Sequence, residues 1–240
     1  MIDKIVNWPR ESYFVVGHST NKINCKRLKT LTKEMQDAIT PSSALELLKE
    51  GNKRFVNNLK ANRNLLQQAN ETSDGQHPFA IILSCIDSRT SAELIFDQGL
   101  GDIFSVRIAG NIVNEDILGS MEFACKVAGS KIIVVLGHSK CGAIKGACEH
   151  VEMGNLTALL SKIRPAVEDE LETTDYRSCD KNEFVESVAV RNVRRSVKAI
   201  MERSLILSDM IKNGEIGIIG GIHDITSGQV TYLDDTKHIA

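Results

Sequence analysis

Three chemically active side chains stand close together in the first half of the 240-residue sequence. The segment SCIDSR at 84–89 places Cys85, Asp87 and Arg89 directly after the apolar run FAIIL. Thiolates bind metals and act as nucleophiles, and a carboxylate beside a guanidinium forms a charged pair. The pattern therefore indicates either an ordinary polar turn after a buried strand or part of a functional site.

A second group of this kind lies further along the chain. The segment GHSKCGA at 137–143 contains His138 and Cys141 in the spacing H-x2-C. Together with Cys85 they offer two thiolates and one imidazole, a ligand set that suits zinc. Three protein ligands leave the fourth tetrahedral position to water, whose pKa a catalytic zinc lowers from 15.7 to about 7. A zinc centre that supplies hydroxide at neutral pH is one interpretation.

Predicted strands explain how these distant residues could meet. Short apolar runs rich in β-branched residues predict buried parallel strands at 79–85, 103–110 and 131–137. Open α/β sheets place their functional sites at the carboxyl ends of such strands. Cys85 follows the first of these strands, and His138 and Cys141 follow the third, so we expect the three residues at one edge of the sheet.

A phosphate-binding loop is a second interpretation of the same turn. Gly137 and Gly142 match the G-x4-G half of that motif. Ala143 and Ile144 stand where the motif requires Lys and Ser or Thr, so the lysine that would contact phosphate is missing. The sequence therefore does not favour a nucleotide site.

A cysteine nucleophile is a third interpretation. Cys85 would then attack the substrate and His138 would be its base, which leaves Cys141, Asp87 and Arg89 without a function. The H-x2-C spacing alone is also common by chance, so the residues by themselves leave these alternatives open. The other four cysteines are interpreted as structural: Cys25, Cys125, Cys148 and Cys179.

Helical patterns surround the predicted strands. Thr40 followed by Pro41 is a start signal for a helix, and Thr90 with Glu93 matches a capping box at the start of another. The remaining predicted elements are a polar loop at 68–78, helices at 90–99, 115–130, 155–167 and 181–212, and strands at 215–224 and 229–234.

This alternation predicts an α/β fold with a central, mostly parallel β-sheet flanked by helices and an N-terminal helical arm. We expect a single α/β catalytic domain at 40–240. Residues 1–39 show no clear period and are predicted to be an extension, either a flexible tail or a docking arm. Asp3 and Glu11 argue against an organellar leader in this segment.

The composition excludes several classes of function. A net charge of −2 creates no field that would recruit nucleic acid or a membrane surface, and an aromatic content of 5% argues against base stacking. No apolar run approaches the ~18 residues of a membrane span. Six cysteines are too few for a disulfide scaffold and indicate thiols in a reducing compartment, so we expect a cytoplasmic protein.

The paired segments SCIDSR and GHSKCGA strongly resemble the β-class carbonic anhydrases, whose signature is C-x-D-x-R and, further along the chain, H-x-x-C-G. The intervening FDQGLGDIFSVRIAGN is also similar to that family, and the resemblance is densest at 79–147. It implies reversible hydration of carbon dioxide to bicarbonate and a proton. It also implies one Zn²⁺ per subunit, held by Cys85, His138 and Cys141.

The resemblance implies roles for four further residues. Asp87, held by Arg89, would orient the zinc-bound hydroxide that attacks carbon dioxide; in an inactive state Asp87 would release Arg89 and become the fourth zinc ligand. Gln98 would hydrogen-bond substrate or product from across a subunit boundary. The backbone N–H of Gly142 would orient bicarbonate. A homodimer or tetramer with active sites near the subunit interface is therefore expected.

Two alternative functions are compatible with the same fold. A non-enzymatic zinc protein would keep Asp87 permanently on the metal and would need neither Arg89 nor Gln98. A carbon disulfide or carbonyl sulfide hydrolase would share the motif residues and differ in the shape of its tunnel.

One family feature is not matched. Bicarbonate-inhibited members carry a regulatory site made of a Trp, an Arg and a Tyr, where this chain has Ile82, Arg107 and, roughly, His223. We therefore expect no inhibition by bicarbonate at that site.

Overall fold

The structure, a computed structural model, describes residues 30–171 and 182–239. Within them, five strands form one sheet: β1 (Ala80–Ser84), β2 (Ile103–Arg107), β3 (Ile132–His138), β4 (Gly217–His223) and β5 (Val230–His238). Their order is β2-β1-β3-β4-β5, and all neighbours are parallel except β4 and β5. The predicted α/β fold is confirmed, and a strand lies at each of the predicted positions.

Helices precede the sheet and connect its strands. They are α1 (Lys33–Asp37), α2 (Pro41–Val56), α3 (Leu65–Glu71), α4 (Ala92–Ile95), α5 (Glu115–Glu122), α6 (Gly142–Cys148), α7 (Gly154–Leu160), α8 (Arg164–Glu168), α9 (Asn182–Arg203) and α10 (Leu205–Lys212). A π-helical turn at Phe123–Val127 continues α5. Among the described helices, none has both the length and the apolar character needed to cross a membrane.

Several local predictions about helices differ from the structure. The helix predicted at 155–167 is two short helices, α7 and α8, and the one predicted at 90–99 contains only α4. The predicted helix at 181–212 is two helices, because the Ser204 side chain accepts a hydrogen bond from the N–H of Leu207 and starts α10. The predicted polar loop at 68–78 begins inside α3. The capping box expected with Thr90 as the N-cap residue is absent, because the N-cap of α4 is the next residue, Ser91.

The start of α2 is as predicted. Thr40 Oγ1 accepts a hydrogen bond from the N–H of Ser43 at 3.1 Å, and Pro41 occupies the first helical position. Proline suits this position because its fixed φ is helical and its missing N–H would have no helical partner.

Part of the predicted extension at 1–39 packs on the domain. Gln36, in α1, is fully buried and donates hydrogen bonds to the carbonyls of Pro78 and Ala128, both at 2.8 Å. Residues 1–29 lie outside the described residues. The division into an extension and one catalytic domain therefore stays a prediction.

Apolar side chains cover both faces of the sheet. On one face, Ile133 and Val135 of β3 pack with residues of α5, α9 and α10. On the other face, Ile132 and Val134 pack with residues of α2 and α4. Strand β2 is different because it lies at the edge of the sheet, and two of its five residues are exposed.

Helix α9 packs closely against β3 and β4 because two glycines make room for it. A Cβ atom on Gly220 would lie 2.6 Å from Val193 Cγ1, and one on Gly137 would lie 2.7 Å from Val193 Cγ2. Both distances are shorter than van der Waals contact. Since Gly137 directly precedes His138, this close packing fixes the end of the strand that carries the histidine.

Replacing Gly220 by Ala should destabilise the protein by about 1–3 kcal/mol, the usual effect of overpacking a well-filled core. Chemical denaturation followed by circular dichroism measures this change. Gly75→Ala is the matched control, because the space around Gly75 is open, and its unfolding free energy should change by less than about 0.5 kcal/mol. Equal stabilities of the two variants would contradict the close packing of α9.

Candidate metal centre

Three buried ligand atoms meet at the carboxyl edge of the sheet. Cys85 follows β1, His138 ends β3, and Cys141 directly precedes α6. Their ligand atoms all lie within 4.8 Å of one another, and the two Sγ atoms are 4.0 Å apart. The three residues are 4%, 1% and 2% exposed, respectively. The structure thus brings together the residues predicted as zinc ligands.

Strand pairing and one tight turn produce this convergence. In the parallel pairing of β1 with β3, Ser84 lies opposite Leu136. The residues that follow each strand therefore emerge at the same edge. Between His138 and Cys141 the chain turns at Lys140, which has a φ of +55°. This left-handed conformation, uncommon outside glycine, reverses the chain so that Cys141 returns to the centre.

The hydrogen bonds of His138 leave one ring nitrogen available to a metal. Nδ1 lies 2.9 Å from the carbonyl oxygen of Ser139, so Nδ1 carries the proton and donates it. Nε2 is buried and has no hydrogen-bond partner among the described residues. A buried polar atom without a partner is costly, and a metal ion bound at Nε2 removes that cost.

The two sulfur atoms are also arranged as metal ligands. Cys85 Sγ accepts a hydrogen bond from the N–H of Gly110 at 3.4 Å. The contact with Cys141 holds the pKa of Cys85 well below its ordinary value, and the same contact together with burial raises the pKa of Cys141. Two thiolates at about 2.3 Å from zinc and at a tetrahedral angle lie roughly 3.8 Å apart. The observed sulfur separation of 4.0 Å fits that geometry.

Asp87 is paired with Arg89 and is not a member of the ligand cluster. Arg89 donates from Nε to Oδ1 at 2.9 Å and from Nη2 to Oδ2 at 2.7 Å, and its backbone N–H also donates to Oδ1. The side-chain hydrogen bonds from Arg89 hold the pKa of Asp87 well below its usual range, although burial opposes them. The carboxylate is therefore ionised at neutral pH.

Two residues outside the predicted catalytic and ligand set hold the loop that carries Cys85 and Asp87. Thr90 Oγ1 lies 3.3 Å from the carbonyl oxygen of Cys85 and 2.9 Å from that of Asp87. Arg107 donates from Nε to the Cys85 carbonyl at 3.0 Å and from Nη2 to the Asp87 carbonyl at 2.6 Å. The sequence signal for Arg107 is its place near the end of the strand predicted at 103–110.

A second buried histidine, His223, lies at the same edge. It is opposite His138 in the pairing of β3 with β4 and is 2% exposed. Neither ring nitrogen of His223 has a hydrogen-bond partner among the described residues. Burial lowers the pKa of His223 to about 4. The ring is therefore neutral at neutral pH and adds no positive charge beside the ligands.

The other two predicted site residues lie in different places. Gly142 is the first residue of α6, directly after Cys141, and the space around its Cα is open. Gln98 donates to the carbonyl of Phe96 at 2.6 Å and lies against Gly51 of α2. In the described residues this hydrogen bond connects Gln98 to its own loop and not to a zinc ligand.

Two of the four cysteines predicted to be structural are described. Cys125 and Cys148 are both buried. Burial raises the pKa of Cys125 to about 12, so its thiol stays protonated and is a poor metal ligand. Cys25 and Cys179 lie outside the described residues.

A buried Cys-His-Cys set at the carboxyl edge of a parallel sheet, beside a charged carboxylate–guanidinium pair, is the arrangement of a zinc enzyme with one open coordination position. The family described as "Carbonic anhydrase" matches residues 80–230 of the chain. This match includes all three ligands and the Asp87–Arg89 pair.

Curated relatives and solved structures agree with the family match. Carbonic anhydrase 2 of Mycobacterium tuberculosis is 36% identical over 206 residues, which cover 83% of this chain and 96% of the relative. A β-carbonic anhydrase structure from Aspergillus fumigatus has a TM-score of 0.62 at 29% identity and covers 80% of this chain and 90% of that one. One of two tetrameric β-carbonic anhydrases from Sordaria macrospora has a TM-score of 0.63 at 27% identity, covering 68% and 84%.

The chain therefore belongs to the β-class carbonic anhydrase family. It is a lyase with carbonic anhydrase activity, and its Cys85, His138 and Cys141 form the type of metal site that holds zinc in this family.

Replacing Cys141 by Ala should remove most of the bound zinc, because a structural or catalytic zinc needs at least three protein ligands. Zinc content of the purified variants, measured by mass spectrometry of the metal, tests this expectation. Cys125→Ala is the matched control, since it removes a buried thiol outside the centre and should retain about one zinc per chain. Full zinc content in Cys141→Ala would contradict the proposed ligand set.

Proposed function

We propose that the centre formed by Cys85, His138 and Cys141 performs the reversible hydration of carbon dioxide to bicarbonate and a proton, with one zinc ion per subunit. The observation that carries this proposal is the pairing of Asp87 with Arg89 beside the ligands. A closed, non-enzymatic zinc site would need the Asp87 carboxylate as its fourth ligand. A carboxylate engaged by Arg89 instead supports a catalytic centre.

The Asp87–Arg89 pair orients the nucleophile. The chemistry that zinc supplies when bound is hydroxide at neutral pH, because zinc lowers the pKa of water to about 7. An ionised carboxylate only accepts hydrogen bonds, so Asp87 would accept the O–H of the nucleophile and orient it. Arg89 engages both carboxylate oxygens, which fixes the orientation of Asp87 and would keep this carboxylate from becoming a metal ligand.

Apolar surroundings suit the substrate, which is itself apolar. The two cysteine ligands lie in a cluster with Ile112, Ile144 and Ile163, each at most 3% exposed. Such walls exclude bulk water and strengthen the hydrogen bonds inside the site. The backbone N–H of Gly142, at the start of α6, is suited to donate to an oxygen of bicarbonate.

Replacing Asp87 by Ala should reduce the rate of carbon dioxide hydration about 10–100-fold and leave the zinc content unchanged, since Asp87 acts on the nucleophile and does not hold the metal. Stopped-flow hydration with a pH indicator, beside a zinc assay, tests this. Asp235→Ala is the matched control, because Asp235 is an exposed carboxylate that also pairs with an arginine, Arg194. A wild-type rate in Asp87→Ala would refute the role of Asp87.

The same assay tests the proposed function as a whole. Wild-type protein with full zinc content but without hydration activity at alkaline pH would refute it. Turnover of carbon disulfide or carbonyl sulfide by that inactive protein would then support the hydrolase alternative.

We further propose that the chain forms a homodimer or tetramer through the edge at β2. Strand β2 has a single neighbour in the described sheet. Beside it, Phe104 and Phe123 stack edge to face with ring centroids 6.4 Å apart and line a groove of about 590 Å³. Phe123 and Val127 are 54% and 72% exposed. Unprotected strand edges and apolar patches mark association surfaces, and the relatives from Sordaria macrospora are tetrameric.

In such an assembly, Gln98 would act in the active site of the neighbouring subunit. Within its own chain, Gln98 is tied to the carbonyl of Phe96 and lies beside α2. From this place beside α2, Gln98 would not bind substrate at the metal centre of its own chain. We therefore assign its role in substrate binding to the active site of the neighbouring subunit.

Two variants that are each impaired alone should regain activity when their subunits are mixed. In a mixed dimer of Gln98→Ala and Asp87→Ala, the Gln98→Ala subunit keeps its own Asp87 and receives Gln98 from its partner, so one site is complete. Random pairing should restore about a quarter of the wild-type rate in a symmetric dimer. Unmixed variants treated in the same way are the control. A mixture that stays inactive would contradict the sharing of Gln98.

We also propose a cytoplasmic location. Zinc binding requires both cysteine ligands as thiolates, and Cys85 and Cys141 are close enough that a small movement would allow a disulfide instead. A reducing compartment keeps the two thiolates available to the metal.

A further inference from the structure

Arg107 is attached to the loop that carries two functional residues, although it belongs to a different strand. Its Nε–H donates to the carbonyl oxygen of Cys85 at 3.0 Å, and its Nη2–H donates to the carbonyl oxygen of Asp87 at 2.6 Å. A guanidinium holds its donors in one rigid plane, so the two bonds together fix both the position and the direction of the loop. Asp87 and Cys85 are therefore held through their backbones as well as their side chains.

Within the loop, Thr90 cannot replace Arg107. Its hydroxyl lies within hydrogen-bond distance of the carbonyls of both Cys85 and Asp87, but it has a single proton to donate. The N–H of Thr90 also donates to the Asp87 carbonyl, at 3.0 Å. Among residues 30–171 and 182–239, only Arg107 donates to both carbonyls from outside the loop and at the same time.

Because Arg107 belongs to a strand of the sheet, its hydrogen bonds attach the loop to the sheet. Arg107 is the last residue of β2 and lies opposite Ser84 in the pairing of β1 with β2. The bonds of Thr90 and the ion pair of Arg89 with Asp87 are local, so they move with the loop. The bonds from Arg107 connect the loop to the sheet, and the sheet also carries His138.

A nearby carboxylate favours this placement of the guanidinium. Glu93 accepts hydrogen bonds from Ser105 at 2.6 Å and from Ser91 at 2.9 Å. Burial alone would raise the pKa of Glu93, but these hydrogen bonds and the charge of Arg107 lower it overall. The ionised Glu93 is therefore a negative charge in the neighbourhood of Arg107.

We propose that Arg107 is a positioning residue of the metal centre, which sets the placement of Cys85 and of the Asp87 carboxylate relative to His138 and Cys141. This proposal rests on the function proposed above and gives the two arginines different roles. Arg89 orients the carboxylate of Asp87, and Arg107 fixes the backbone from which Cys85 and Asp87 project.

Arg107→Ala, Arg107→Lys and the wild type are compared after replacement of zinc by cobalt(II), whose visible absorption bands report the geometry of its ligands. Zinc affinity, measured by competition with a chelator, and kcat and KM for carbon dioxide hydration complete the comparison. Arg194→Ala is the matched control, because Arg194 is an arginine that pairs with Asp235 at the surface. It should match the wild type in every measurement.

We expect Arg107→Ala to change the cobalt spectrum and to lower zinc affinity or kcat about 10–100-fold, as loss of groups that support metal ligands commonly does. Arg107→Lys keeps the charge but not the planar pair of donors, so its spectrum and kcat should fall between those of Arg107→Ala and the wild type. If Arg107→Ala does not fold, the lysine variant provides the test.

Two results would overturn the proposal. The first is an alanine variant with the spectrum, zinc affinity and kcat of the wild type. The second is an unchanged spectrum with a raised KM alone, which would make Arg107 a group that binds substrate or bicarbonate. The cobalt spectrum and zinc affinity do not depend on turnover. If the wild type lacks hydration activity while Arg107→Ala still changes the cobalt spectrum and zinc affinity, the proposed function is refuted and the positioning role is upheld.

Discussion

The parallel pairing of β1 with β3 is the constraint on which the metal centre depends, because it sets where both strands end. Each residue adds about 3.3 Å along a strand. A register shift of two residues would therefore move Cys85 by roughly 6.6 Å relative to His138, more than the 4.8 Å that contains the ligand atoms. A shift of one residue would turn the side chains of the strand to the opposite face. The alternating contacts of β3 with the two apolar layers thus also determine the geometry of the metal ligands.

Charged groups around the metal centre have oppositely charged groups nearby. Two thiolates would neutralise a bound Zn²⁺ ion, Asp87 is paired with Arg89, and Arg107 lies in the neighbourhood of the ionised Glu93. His223, next to His138, is neutral at neutral pH because burial disfavours its charged form. Thiolate ligands donate more charge to zinc than imidazoles do and make its bound water less acidic.

The sequence predicts the fold and the meeting of the three ligands because both follow from patterns along the chain. Buried parallel strands have continuous apolar runs, and residues that follow them share an edge. The same rule places Arg107 at that edge, but strand position does not show that its side chain bonds to two carbonyls. Thr90 matches a capping box in sequence, yet its hydroxyl bonds back to the loop instead. These contacts depend on the three-dimensional path of the loop, which spacing alone does not encode.

The packing of Val193 against Gly137 and Gly220 has an evolutionary consequence. The three positions share one fixed volume between α9 and the strands that carry His138 and His223. A larger residue at either glycine requires space now occupied by Val193, and at position 137 the Ile222 side chain must move as well. Positions 137, 193 and 220 should therefore covary among related chains, even though none of the three contributes a ligand to the metal.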